Sequence, residues 1–175
     1  EEEVSRDSVR SERATLGDWK LILGSLAREE KFNSQDFLLA LGQILALNPH
    51  CAFIYTGRGN SEHIRRIARQ FGVEQQIKFV GWVDTNLYAE VIDIFLETFP
   101  FGCGVTAFQA MAKGTPIVSY CADDTMFGYQ LKGAMPAETL ANLPRSDFER
   151  LPILTATDAN HYIDIVNRLI RDNKW

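Results

Sequence analysis

Two cations, a run of glycines and several hydroxyl and amide side chains are spaced in this chain so that they could hold a phosphate. The first group lies in FPFGCGVTAFQAMAKGTPIVSY, from Phe99 to Tyr120. This stretch leaves an apolar run, passes Gly102 and Gly104, and starts a short helix at Val105. A helix N-terminus exposes unpaired backbone N–H groups and a partial positive charge, which together attract anions. Glycines ahead of it carry no side chain to keep an anion from those amides. Thr106 offers a hydroxyl in the first turn. Gln109, three residues on and on the same face, lies within reach of a sugar hydroxyl attached to that phosphate. A plain tight turn capped by Thr106 fits the same spacing, because a glycine-rich strand-to-helix turn is a weak signal alone.

The second group is GSLAREEKF, Gly24 to Phe32, which also follows an apolar run. Arg28 and Lys31 suit the charge of a diphosphate. The competing reading is that they are solvated loop charges partnered by Glu29 and Glu30. The third is FVGWV, Phe79 to Val83, where an apolar-Gly-aromatic turn offers backbone groups and a flat wall to a nucleobase. Simple edge packing of Trp82 is the alternative there.

Elements of two kinds must position these groups. Short apolar runs at 19–23, 51–56, 77–82, 93–98, 116–120 and 151–156 read as buried strands. Between them lie helical patterns. Asn33 or Ser34 caps one that runs to Leu47 with Phe37, Leu38, Leu41, Ile44 and Leu45 at helical spacing. A second carries Ile64, Ile67, Ala68 and Phe71 and closes at Gly72. A short helical turn surrounds Leu87 and Tyr88, another helix spans about 105–113, and a last one, capped by Thr157 or Asp158, presents Tyr162, Ile165, Val166 and Leu169. Residues 121–150 show no sustained period. Strands separated by helices of this length pair in parallel through right-handed crossovers. The predicted class is therefore α/β, a doubly wound Rossmann-like parallel sheet of about six strands. In such sheets ligands sit beyond the carboxyl ends of the strands, where all three groups fall.

With 175 residues, 46% hydrophobic and 23% charged, the chain has the balance of one globular domain. A net charge of −5 supplies no basic face for nucleic acid, so any anion site must be local. No apolar run is long enough to span a bilayer. Cys51, Cys103 and Cys121 are odd in number and lack metal-ligand spacing, and they read as reduced thiols in a cytoplasmic setting, with Cys51 in the core. Eight of the first thirteen residues are charged, so 1–18 read as a linker or cut edge and 19–175 as the folded domain.

The order of parts over residues 19–172 resembles the C-terminal, donor-binding half of GT-B glycosyltransferases, in particular the O-GlcNAc transferase-like family and its bacterial relatives. GVTAFQAMAKGTPIVSY carries most of the likeness, and ILTATDANHYIDIVNRLIRD resembles that family's closing strand and helix. The resemblance implies a nucleotide-sugar donor, a UDP-sugar, as substrate, with no separate cofactor; the residues themselves offer no metal-ligand cluster. It implies that Lys31, with Arg28 beside it, contacts the donor diphosphate. Val80 and Val83, flanking Gly81 and Trp82, would frame the uracil through backbone groups. Gly104, Val105 and Thr106, behind Gly102, would bind phosphate, and Gln109 would take the ribose place. Three positions depart from the pattern: Gln109 stands where an acidic residue is usual, Ser25 where Arg is often found, and Gly104 where the O-GlcNAc enzymes carry His.

The same resemblance implies a partner, the N-terminal acceptor domain of a GT-B chain, without which this domain binds but does not turn over. No catalytic residue is assigned, since His50, His63 and His161 lack acidic partners at useful spacing and read as surface groups. Two other readings stay open. One is a degenerate GT-B-like interaction module without nucleotide, and the other is half of a sugar-nucleotide epimerase.

Overall fold

The computed structural model describes residues 4–58, 61–120 and 153–172. The whole 121–150 segment, Cys121 included, and the first two residues of the expected sixth strand lie outside them. The strands are β1 (Leu21–Ser25), β2 (Cys51–Thr56), β3 (Ile77–Gly81), β4 (Ile94–Leu96), β5 (Ile117–Tyr120) and β6 (Ile153–Ala156). All pairs are parallel, in the order β3-β2-β1-β4-β5-β6. That is the doubly wound arrangement expected from the alternation of strands and helices.

Side-chain alternation explains the two layers. Leu21, Leu23, Phe53, Tyr55, Ile94, Leu96 and Val118 point to a core shared with α2 (Gln35–Leu47), α3 (Glu62–Phe71) and α6 (Ala159–Arg171). Ile22, Ile54, Phe95 and Ile117 point the other way, toward α1 (Arg6–Leu16), α4 (Thr85–Val91) and α5 (Val105–Ala112). The central strands β1, β2 and β4 are buried at every residue, whereas edge strand β3 is half-exposed. The expected caps hold too: Ser34 accepts the Phe37 amide and Asp158 the His161 amide.

Two local expectations change. The first strand was expected to stop before Gly24, but β1 continues through it to Ser25. A Cβ there would lie 2.5 Å from Ile92, so glycine marks a close approach of the chain leaving α4 rather than a strand end. The second change concerns residues 1–18, expected as a linker without apolar periodicity. Residues 6–16 form α1, capped by Ser5, which accepts the Ser8 amide at 3.1 Å. Its few apolar side chains, Val9 and Leu16, lie seven residues apart and meet the second core.

Charge does the rest of the docking of α1. Arg13 forks onto Asp93 at 3.0 and 2.9 Å and also reaches the Val91 carbonyl at 2.7 Å. Asp93 in turn accepts the Ile22 amide at 2.7 Å, so one carboxylate ties α1 to the first strand. Both side chains are only about a quarter exposed, at 28% and 26%, which limits screening. Arg13→Ala is expected to cost roughly 1–3 kcal/mol in urea denaturation, the range for hydrogen bonds to charged groups less the desolvation recovered. A variant as stable as the parent would show that α1 rests on the domain without holding it.

Candidate functional site

Strand order reverses between β1 and β4, and the loops leaving their carboxyl ends diverge there. Ser25 on β1 donates its hydroxyl to the Leu96 carbonyl of β4 at 2.5 Å, closing the sheet at that point. Beyond Ser25 the chain passes Leu26 to Arg28 and makes a single 3-10 turn over Glu29–Asn33. Beyond β4 it passes Glu97 to Gly104 and starts α5.

Three polar ties hold these loops. Thr56 at the end of β2 accepts the Ala27 amide at 3.0 Å and donates to the Ala27 carbonyl at 2.9 Å. Thr106 in the first turn of α5 donates to the Leu26 carbonyl at 2.5 Å. Lys31 donates its Nζ to the Gly102 carbonyl. The result is a cleft of about 830 Å³ bounded by the β1 loop, the end of β2, the turn after β3 and the start of α5.

Six expected residues line this cleft: Arg28, Lys31, Trp82, Val83, Val105 and Thr106. Among the described residues neither Arg28 nor Lys31 forms an ion pair with Glu29 or Glu30. Arg28 is exposed and Lys31 partly buried. Trp82 is 76% exposed and Val105 70% exposed, so the former is not packed at an edge.

The other five lie elsewhere. Val80 packs against the second core, and the Gly81 carbonyl accepts the Gly57 amide at 3.4 Å. Gly102 contributes the carbonyl that Lys31 holds. Gly104 occupies the N-cap position of α5 at φ 68° and ψ −126°, with no side-chain cap. Gln109 is turned to α4, its Nε2 3.5 Å from Asn86 Oδ1, instead of onto the cleft. Thr106 also differs from expectation, since its hydroxyl proton goes to Leu26. Its part is to tether α5, which leaves the first-turn amides of Val105 and Thr106 as the donors a helix N-terminus offers. Thr56, Arg58 and Thr85 line the cleft as well and were not singled out from sequence.

A further residue missed in the sequence is Glu97. DIFLET read as one strand, which hid an acidic residue directly after the last strand position of β4. Its Oε1 accepts the Cys103 amide at 3.2 Å and its Oε2 the Ser119 hydroxyl at 2.6 Å. Its backbone carbonyl accepts the Tyr162 hydroxyl at 3.0 Å. Burial raises the Glu97 carboxyl above its ordinary 4.5, against the opposing pull of Ser119, the Cys103 amide, Lys31 and the Gly104 amide. Burial also raises the Cys103 thiol, with Glu97 adding to the effect, and lifts the Tyr162 hydroxyl well above its usual value.

The sign of the pH effect follows. Native Glu97 keeps its proton to higher pH than in the unfolded chain. The stability this supplies is fully present below the ordinary glutamate value and is lost as pH rises through the raised native one. Glu97→Gln is neutral throughout. Relative to this variant, the parent should therefore gain stability as pH falls from neutral toward 4.5. Urea melts at several pH values measure this, and a constant difference between the two proteins would contradict it.

The remaining titratable candidates lie where expected. His50, His63 and His161 are exposed, and His161 sits beside the Thr157 hydroxyl at 3.2 Å. Cys51 is buried, with its thiol raised to about 11 by burial. No helix among the described residues is long and apolar enough to cross a membrane.

Comparisons with known proteins agree on the fold. The family profile described as glycosyl transferases group 1 matches residues 19–127. No curated protein sequence matches the chain. Among solved structures, the C-terminal domain of the group 1 glycosyl transferase LpcC from Francisella tularensis is 19% identical with a TM-score of 0.65, over 99% of this chain and 85% of that one. HepE from Anabaena, in complex with UDP and glucose, is 17% identical with a TM-score of 0.67, over 98% of this chain and 44% of HepE. A mutant O-GlcNAc transferase from Thermobaculum terrenum is 19% identical with a TM-score of 0.65, over 87% of this chain and 29% of that one. The chain thus spans less than half the length of the last two.

Proposed function

We propose, on the premise that this chain belongs to the glycosyl transferases group 1 family, that it is the donor-binding half of a glycosyltransferase and takes a UDP-sugar in the cleft between β1 and β4. Its sheet and helices are those of the C-terminal domain of a GT-B enzyme. The observation that carries the reading is the meeting of Lys31 and the α5 N-terminus at the switch point, on loops tied by Thr106 and Gly102. In this reading Lys31 and Arg28 neutralise the diphosphate, and the Val105 and Thr106 amides bind its oxygens. The backbone around Gly81 and Val83 frames the uracil, with the exposed Trp82 ring beside it. Gln109 reaches the ribose only by leaving Asn86.

Glycosyl transfer itself belongs in this reading to the cleft formed with an N-terminal acceptor domain. A cytoplasmic setting suits the buried free thiols of Cys51 and Cys103. A second reading, an interaction module without nucleotide, is favoured by one observation: the Cys103 amide in the glycine turn is satisfied by Glu97 rather than left for an anion.

One titration separates the two. UDP at one hundred times its dissociation constant should stabilise the domain by about 2.7 kcal/mol, read as a rise in melting temperature. No shift at millimolar UDP would favour the interaction module.

A further inference from the structure

We propose that Glu97, which does not line the cleft, is the positioning residue of the diphosphate site; the inference rests on the donor-binding reading above. Its place in the structure is unusual for a loop carboxylate. The backbone of Glu97 is held from two sides, its amide donating to the Val118 carbonyl at 2.9 Å and its carbonyl accepting the Tyr162 hydroxyl of α6 at 3.0 Å. One side-chain oxygen is held by Ser119 of β5 at 2.6 Å. The other oxygen is what the turn hangs on, through the Cys103 amide at 3.2 Å.

Cys103 is flanked by the two residues on which the site depends. Gly102 precedes it and carries the carbonyl that seats the Lys31 ammonium, and Gly104 follows it as the N-cap of α5. Fixing the Cys103 amide therefore fixes both the seat of the cation and the direction of the first amides of α5. The turn has a second clasp, Thr98, whose hydroxyl donates to the Phe101 carbonyl at 2.7 Å and lies 3.6 Å from the Cys103 Sγ; it meets the Cys103 side chain, whereas the Cys103 amide is held by Glu97. Removing the Glu97 carboxylate would leave this network half-satisfied and let the turn shift, and displacement of a few tenths of an ångström at binding groups already weakens charge-assisted hydrogen bonds.

The test compares Glu97→Ala, Glu97→Gln and Ser119→Ala with the parent chain, using UDP and uridine as separate probes in calorimetric titrations. Glutamine keeps an oxygen for the Cys103 amide and an N–H for the Ser119 oxygen, so it should restore binding. The expected result is UDP binding weakened roughly tenfold in Glu97→Ala and a few-fold in Ser119→Ala, with uridine unchanged and Glu97→Gln close to the parent. A readout free of nucleotide accompanies it. The Cys103 and Gly104 amide signals and the Lys31 side-chain signals in NMR should move in Glu97→Ala and return in Glu97→Gln. If the parent chain does not bind UDP, the donor reading falls while the NMR comparison still judges Glu97. Unmoved Cys103, Gly104 and Lys31 signals in Glu97→Ala overturn the inference, as does a Glu97→Ala variant that matches the UDP affinity of a parent that binds UDP. Should Glu97→Ala not fold, Ser119→Ala carries the same comparison, and an unchanged UDP affinity and unchanged Cys103 signal there overturn it.

Discussion

Lys31→Ala is expected to weaken UDP binding by roughly 10- to 150-fold, the equivalent of one charged hydrogen bond worth about 1.5–3 kcal/mol. Uridine should bind the variant as it binds the parent. The selectivity follows from where Lys31 stands: the 3-10 turn after β1 carries it to the cleft, and its Nζ rests on the Gly102 carbonyl. A carbonyl is a weak holder for an ammonium, so a diphosphate can take over the cation at the cost of one neutral acceptor. Losing that hydrogen bond, and the weaker pull of Lys31 on Glu97, should leave the fold nearly as stable, since Phe32, next along the turn, is fully buried and anchors it. Arg28→Ala should show the same preference at smaller size, because Arg28 is exposed and screened by solvent. Isothermal titration with UDP, UMP and uridine distinguishes the outcomes. Equal losses for UDP and uridine would mean that Lys31 shapes the cleft instead of binding phosphate.

Elements whose pattern is local were legible, and ties between distant loops were not. The α2 helix announces itself through Ser34 and the repeat from Phe37 to Leu45, and β2 through an uninterrupted apolar run that became buried at all six positions. Helix α1 escaped because its apolar repeat is reduced to Val9 and Leu16. Its docking depends on Asp93, 80 residues away from Arg13 in the chain. The site shows the same division. A cation after β1 and glycines before α5 can be read from spacing, because phosphate chemistry asks for those residue types at strand ends. The partners of Thr106, Gln109 and Glu97 cannot, because Leu26, Asn86 and Ser119 come from other elements. Gln109 illustrates the limit well. Helical spacing places it on one face with Thr106, but the packing of α5 on α4 turns that side chain to Asn86.

Gly104→Val is expected to cost stability and UDP affinity together, and a second glycine on the same helix shows how to separate them. Gly104 has φ +68° and Gly114, just beyond the other end of α5, has φ +83°; a Cβ at either would meet nothing within 4 Å. Valine at each position therefore suffers backbone strain without a clash, worth roughly 1–3 kcal/mol by urea denaturation. The two variants should lose similar stability. Only one end of the helix, however, opens on the cleft. On the donor-binding reading, a branched side chain at Gly104 stands ahead of the Val105 and Thr106 amides, in the space the phosphate would need, and would remove the charge-assisted hydrogen bonds proposed for them. UDP binding should fall by about tenfold or more in Gly104→Val, with uridine much less affected. Gly114→Val should bind UDP as the parent does, once both are compared at temperatures well below melting. Equal UDP affinity in the two variants would place the phosphate away from α5. Gly104 would then be needed for its backbone conformation alone, and the cation on the β1 loop would have to hold the diphosphate without the helix.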